Sequence, residues 1–200
     1  MTVLQLPEWP CNLVRELADE RSIGIWLVGG AVRDLLLGRP VHDWDFAVQH
    51  GAMELAQAVA DTLDGHFFPL DDERGTARVV LKTGCRPSTD LDFACLRGED
   101  IGADLAGRDF TINAMAVTGG NQLIDPMDGR ADLEARCIRA TGRTVFSDDS
   151  VRLLRAVRLE RELGFQIERV TEGWARAYAA LLAGASAERV RDEHIRGLAI

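Results

Sequence analysis

The feature that most constrains the fold of this chain is a change in the spacing of its apolar residues near position 149. Before it, they come mainly in strand-length runs, at residues 25–28, 44–48, 79–81 and 91–96, bounded by glycine or polar residues. Runs this short fit strands, and 91–96 alternates enough to leave one face solvated. Between them, residues 11–21 place Leu13, Val14, Leu17 and Ala18 at helical spacing, and 53–63 reads as a second amphipathic helix. Residues 32–37 form a short helix stopped by Gly38, with Pro40 beyond. Residues 112–117 and 123–124 complete this mixed region. From Asp149 onward only the helical period remains: Val151, Leu154, Val157 and Leu163 share a face, and 171–182 and 187–198 are further helices, the last with Ser186 as N-cap. The pattern predicts an α+β region, residues 1–140, followed by an all-helical one, residues 141–200. A length of 200 residues allows one domain, or one plus the start of another.

Composition removes several classes. Apolar residues make up 46% of the chain, yet no run approaches the roughly 18–20 residues that a bilayer span needs. The first residues lack the basic stretch and long apolar run of a secretory signal. The expectation is a cytoplasmic globular protein with no membrane partner. The net charge of -9 is uneven: residues 1–140 hold 13 basic and 23 acidic side chains, residues 141–200 hold 10 and 9. An acidic chain that binds phosphate-rich partners must use metal cations or concentrate its arginines locally. All basic residues but Lys82 are arginine, which suits two-pronged phosphate contacts and equally fits an arginine-biased composition. Cys11, Cys85, Cys95 and Cys137 are scattered without a Cys-x-x-Cys pair and read as structural thiols; His42, His50, His66 and His194 form no metal-binding pair.

Two clusters carry chemistry. Gly29-Gly30 stands where a strand runs into a helix, so the backbone can approach a ligand and aim N–H groups at an anion, or simply turn tightly. Asp43 and Asp45 flank Trp44 on an extended segment, where alternate side chains face the same way. Two carboxylates held close repel, and a hard divalent cation such as Mg2+ compensates them while leaving positions for substrate phosphates. Asp92 opens another strand as a third acid. Two acids on one strand and one on a neighbour can serve two-metal phosphoryl transfer, although Asp-x-Asp also occurs on ordinary surfaces.

In order, the chain carries Gly29-Gly30-Ala31-Val32-Arg33-Asp34, Asp43-Trp44-Asp45, Arg108-Asp109-Phe110-Thr111-Ile112-Asn113-Ala114, Asp125-Pro126-Met127-Asp128-Gly129-Arg130, and Asp149-Ser150-Val151-Arg152-Leu153-Leu154-Arg155. This series resembles the class II tRNA nucleotidyltransferases, which comprise CCA-, CC- and A-adding enzymes, together with the related bacterial poly(A) polymerases. It covers roughly residues 23–165, with an echo at Ser186-Ala187-Glu188-Arg189-Val190. The resemblance implies a nucleotidyltransferase head with a small mixed sheet and flanking helices, then a helical neck. It implies Asp43 and Asp45 as metal-binding carboxylates, Asp92 as the acid near the attacking 3′-hydroxyl, and Gly29, Gly30 and Arg33 at the triphosphate. Arg108, Asp109 and Asn113 would lie around the ribose, and Asp149 and Arg152 would read the incoming base with Arg155 and Arg158 nearby. Arg161 is read as part of a solvated face.

The same resemblance implies Mg2+ as cofactor and the tRNA 3′ end, CTP and ATP as partners. The chain departs from the pattern at Gly107, Asp148 and Ser150, and the stretch from Arg97 to Asp109 is short, which points to efficient CC addition and poor addition of the terminal A. The sequence stops within the neck, so a tRNA-binding body and tail are expected to be missing. Poly(A) polymerase activity and a non-catalytic RNA-binding fragment are the competing expectations.

Overall fold

The computed structural model describes residue 4 and residues 6–81 and 89–198; Cys85 and Lys82 lie outside them. The chain divides into two compact units, Met1–Leu105 with Met115–Asp125, and Ala106–Ala114 with Pro126–Ile200.

The first unit is a seven-stranded mixed sheet in the order β3-β4-β5-β2-β1-β6-β7. Its elements are α1 (Cys11–Glu20), β1 (Ile25–Val28), α2 (Gly30–Leu36), β2 (Asp43–Val48), α3 (Ala52–Thr62), β3 (His66–Asp71), β4 (Thr76–Val80), β5 (Asp90–Cys95), β6 (Ala116–Thr118) and β7 (Leu123–Ile124). The α4 helix (Ile101–Ala106) follows β5. The central pair β2–β5 is parallel, whereas β1–β2 and β4–β5 are antiparallel. Strand alternation divides the sheet chemically. Trp44, Phe46 and Val48 on β2, Leu91 and Phe93 on β5, and Ala77 and Val79 on β4 are buried on one face. Leu55 and Val59 of α3 and Val14 and Ala18 of α1 are buried with them, and the Phe46 and Phe93 rings stack at 5.3 Å. The alternate positions of β2, β5 and β4 carry the charged residues.

Two expectations change here. The β3 strand is absent from the sequence reading, because as an edge strand it leaves Phe68 and Leu70 exposed and contains Pro69, both of which erase the alternation. Residues 97–109 are not a plain linker: they contain α4, and the Asp104 carboxylate accepts a hydrogen bond from the Arg97 backbone N–H at 3.1 Å.

The second unit contains a 3-10 turn (Thr111–Asn113), α5 (Gly129–Glu134), β8 (Cys137–Ile138), α6 (Val145–Asp148), α7 (Arg152–Leu163), β9 (Gln166–Ile167), α8 (Arg169–Tyr178), a 3-10 segment (Ala179–Gly184) and α9 (Ala187–Leu198). Phe110, Ile112, Ile138, Phe146 and Leu159 form its core. The β8 and β9 strands pair in parallel, so the region after residue 140 is helical apart from β9. The run at 112–117 is not one strand: residues 111–113 coil into the 3-10 turn before β6 begins.

Candidate active site

In the first unit, the parallel register of β2 and β5 sets Asp43 opposite Asp90 and Asp45 opposite Asp92. Because each pair is two residues along its strand, all four carboxylates occupy the face opposite the apolar core. Asp43 is exposed and the other three are half-buried. A group the sequence reading missed completes the cluster. Arg78 of β4 pairs in register with Asp92, and its Nε and Nη2 donate to the two Asp92 oxygens at 2.7 Å each. Its Nη1 lies 3.3 Å from Asp90. The hydrogen bonds to Asp92, reinforced by the charges of Asp92, Asp90 and Asp43, push the Arg78 guanidinium up against the opposing cost of burial. The signal for Arg78 was its place between the inward Ala77 and Val79.

The glycine turn lies at the end of β1. Gly29 has φ 73° and ψ -139°, a conformation open to glycine and costly for other residues. Its N–H donates to the Met115 carbonyl, and Gly30 begins α2. Arg33 is 7% exposed, and its Nε and Nη2 donate to the Asp34 carboxylate at 3.0 and 2.9 Å. The predicted phosphate contact at Arg33 is therefore a buried guanidinium already shared with its neighbour.

The remaining predicted residues lie in the second unit. Asp109 is buried; its carboxylate accepts from the Phe110 N–H at 2.7 Å, from Asn113 Nδ2 at 3.2 Å and from Arg155 Nη1 at 3.2 Å. Burial alone would raise this carboxyl, but the Arg155 charge and the three donors outweigh it and hold the group below the usual range. Arg155 also donates Nε to Glu193 of α9 at 3.1 Å, and Arg158 donates Nε to the other Glu193 oxygen at 2.7 Å. Glu193 is buried, which would raise its carboxyl, yet Arg158 and Arg155 hold it low. Arg155 and Arg158 thus tie α7 to α9 through Glu193, and Arg155 also holds Asp109 directly through Nη1.

Arg152 donates to the Gly107 and Val145 carbonyls at 3.1 and 3.4 Å. Asp149 accepts from Arg189 Nη2 at 2.6 Å and from the Val151 N–H at 3.2 Å. These contacts lower its carboxyl despite a raising effect of burial. An open pocket of about 350 Å³ is lined by Ser147, Asp149, Ser186 and Arg189 among others. Arg108 is half-buried.

Among the described residues, no three His, Cys, Asp or Glu side chains converge tightly enough to hold a metal ion by themselves. Asp92 is engaged by the fork from Arg78. Asp43 and Asp45 are a pair of hard oxygen donors at same-face positions of β2. That set fits a magnesium-type cation, which commonly takes one or two carboxylates and completes its shell with water and substrate phosphates. Burial pushes the Cys11 thiol up to about 12, and among the described residues Cys11, Cys95 and Cys137 form no disulfide.

A mixed sheet that presents alternating aspartates on the face opposite its apolar core, beside a glycine turn, offers hard oxygen donors next to a close-approach backbone. The chain belongs to the family of the poly A polymerase head domain, whose model matches residues 25–139. It is 48% identical over 188 residues to the CC-adding tRNA nucleotidyltransferase of Geobacter sulfurreducens, covering 94% of this chain and 43% of that protein. It is 38% identical over 207 residues to the CCA-adding enzyme of Lactiplantibacillus plantarum, covering 96% and 50%. Its fold matches the Thermotoga maritima CCA-adding enzyme complexed with tRNA at a TM-score of 0.85 and 33% identity, covering 99% of this chain and 51% of that one. The chain spans about half the length of the relatives it matches.

Proposed function

We propose that this chain carries the catalytic head and the start of the neck of a template-independent nucleotidyltransferase acting on the tRNA 3′ end, with residues 1–140 as head and 141–200 as neck. The family match ending at residue 139 supports that boundary. The observation that carries the reading is the register of β2 against β5, which gathers Asp43, Asp45 and Asp92 on the open face of the sheet. In the reaction the tRNA 3′-oxygen forms a bond to the α-phosphorus of CTP or ATP. The bond from that phosphorus to the oxygen bridging the β-phosphate breaks, pyrophosphate leaves, and the hydroxyl proton is released. Asp43 and Asp45 would hold Mg2+, which supplies charge compensation for the triphosphate and lowers the pKa of the attacking hydroxyl. Asp92 faces the hydroxyl, and the Gly29-Gly30 turn lets the triphosphate approach the backbone, with Arg33 behind it.

Arg108, Asp109 and Asn113 set the ribose, with Asp109 fixed by Arg155. Asp149 and Arg152 supply an acceptor and donors for the Watson–Crick edge of the incoming base, so no nucleic-acid template is needed. Arg155 and Arg158 support this group through Glu193. The CC-adding identity of the Geobacter relative and the folding of residues 101–106 into α4, which leaves little slack after β5, favour addition of C over terminal A. A tRNA substrate would favour a cytoplasmic location; among the described residues no helix is long and apolar enough to cross a membrane.

The test is incorporation of labelled CMP into tRNA lacking its 3′ CCA, with a generic RNA alongside. The tRNA reading expects labelling of tRNA alone. Equal labelling of both RNAs with AMP would instead make the chain a poly(A) polymerase, the activity that gives the family its description.

A further inference from the structure

Arg78 has no part in the reaction just described, and its geometry is too specific for a solvated surface charge. The row across the sheet runs Arg78, Asp92, Asp45 on β4, β5 and β2. Both Asp92 oxygens are taken by one guanidinium at 2.7 Å, the planar two-pronged geometry that arginine provides and lysine does not. The pair is no buried strut: the side chains retain 34% and 23% of their exposure, a setting in which an ion pair adds little to stability. Four aspartates share this face, and Arg78 is the cation that meets two of them.

We infer that Arg78 is a positioning residue that reserves Asp92, holding its carboxylate in a fork so that Asp43 and Asp45 alone hold the metal while Asp92 remains aimed at the attacking hydroxyl. This rests on the metal site proposed above. Without the fork, a third carboxylate is released beside two others and a positive charge is removed. The metal then binds more tightly, with Asp92 drawn into its shell and lost as an orienting group.

The test uses the 200-residue chain and Mn2+ alone, titrated by electron paramagnetic resonance. Arg78→Met is expected to bind Mn2+ roughly fivefold or more tightly than the parent, from loss of one nearby positive charge. Arg78→Lys, which restores charge without the fork, should still bind Mn2+ more tightly than the parent, though less so than Arg78→Met, because Asp92 is released. An affinity equal to that of the parent would reduce Arg78 to a plain counter-charge and overturn the inference. The turnover of CMP incorporation should fall about tenfold or more in both, with the KM for CTP little changed, since orientation of the hydroxyl is lost and nucleotide binding is not. Arg78→Gln replaces Arg78→Met should the latter not melt cooperatively. Unchanged or weaker Mn2+ binding in the neutral variants overturns the inference. A parent chain that binds no more Mn2+ than the Asp43→Asn/Asp45→Asn double variant overturns the metal site itself, and this inference with it.

Discussion

Replacing Arg155 by methionine isolates the network that holds Asp109 and Glu193 in the second unit. The change keeps the apolar stem and removes the guanidinium that touches both Asp109 and Glu193, whose side chains are each 6% exposed. Breaking a buried ion pair by removing one partner costs about 3–5 kcal/mol. Arg155 itself retains 37% exposure, and Asp109 keeps the Phe110 and Asn113 donors while Glu193 keeps Arg158, so solvent and the surviving partners reduce the cost to about 2–3 kcal/mol. For a chain of this length that corresponds to a fall in Tm of about 5–10 °C at neutral pH. The pH dependence follows from both carboxyls being held low in the folded protein. A depressed carboxyl contributes stability that is present above its unfolded pKa and lost as pH falls through its folded value. The gap in Tm between parent and Arg155→Met should therefore be full at pH 7 and shrink below about pH 4. Differential scanning calorimetry from pH 3 to 8 measures both quantities. A Tm within 1 °C of the parent at pH 7, or a gap that widens in acid, refutes the assignment of Arg155 as the shared counter-charge.

Three further outcomes are expected. Asp43→Asn should leave the melting temperature near that of the parent and lower CMP incorporation by roughly 10³-fold, the scale of losing several kcal/mol of metal-assisted charge stabilisation, as a quench-and-gel time course would show. Gly29→Ala should destabilise by about 1–3 kcal/mol in urea unfolding, since φ 73° with ψ -139° strains any residue bearing a Cβ. With a net charge of -9, the chain should bind tRNA weakly and with a steep loss of affinity as salt rises, whereas binding of CTP with Mg2+ persists; filter binding across 50–200 mM KCl separates the two.

The parts of this molecule that were legible in its sequence are those set by local period. Asp43 and Asp45 could be placed on one face because a strand alternates, and α9 matches the predicted 187–198 because its apolar residues and Ser186 mark it locally. The strand β3 escaped notice because an exposed edge has no inward stripe to alternate with. The Arg78–Asp92 fork was hidden for another reason. The sequence shows each residue facing away from apolar neighbours, but only the pairing of β4 with β5 brings the two faces together. The same holds for Arg155 and Arg158. Three-residue spacing places them on one side of α7 and leaves them looking like a solvated face, whereas their partner Glu193 lies 38 and 35 positions away. Long-range pairing decides such roles, and local patterning carries no record of it.

The central claim is that the open face of the sheet adds nucleotides to tRNA through its aspartates. It is tested most directly by incubating the chain at high concentration with tRNA lacking its 3′ end, CTP, ATP and Mg2+, then sequencing the 3′ ends against an Asp45→Asn control. The account predicts ends extended by two C residues, few with a terminal A, and none in the control. Ends left unextended by the parent chain, or extended equally by Asp45→Asn, would contradict it.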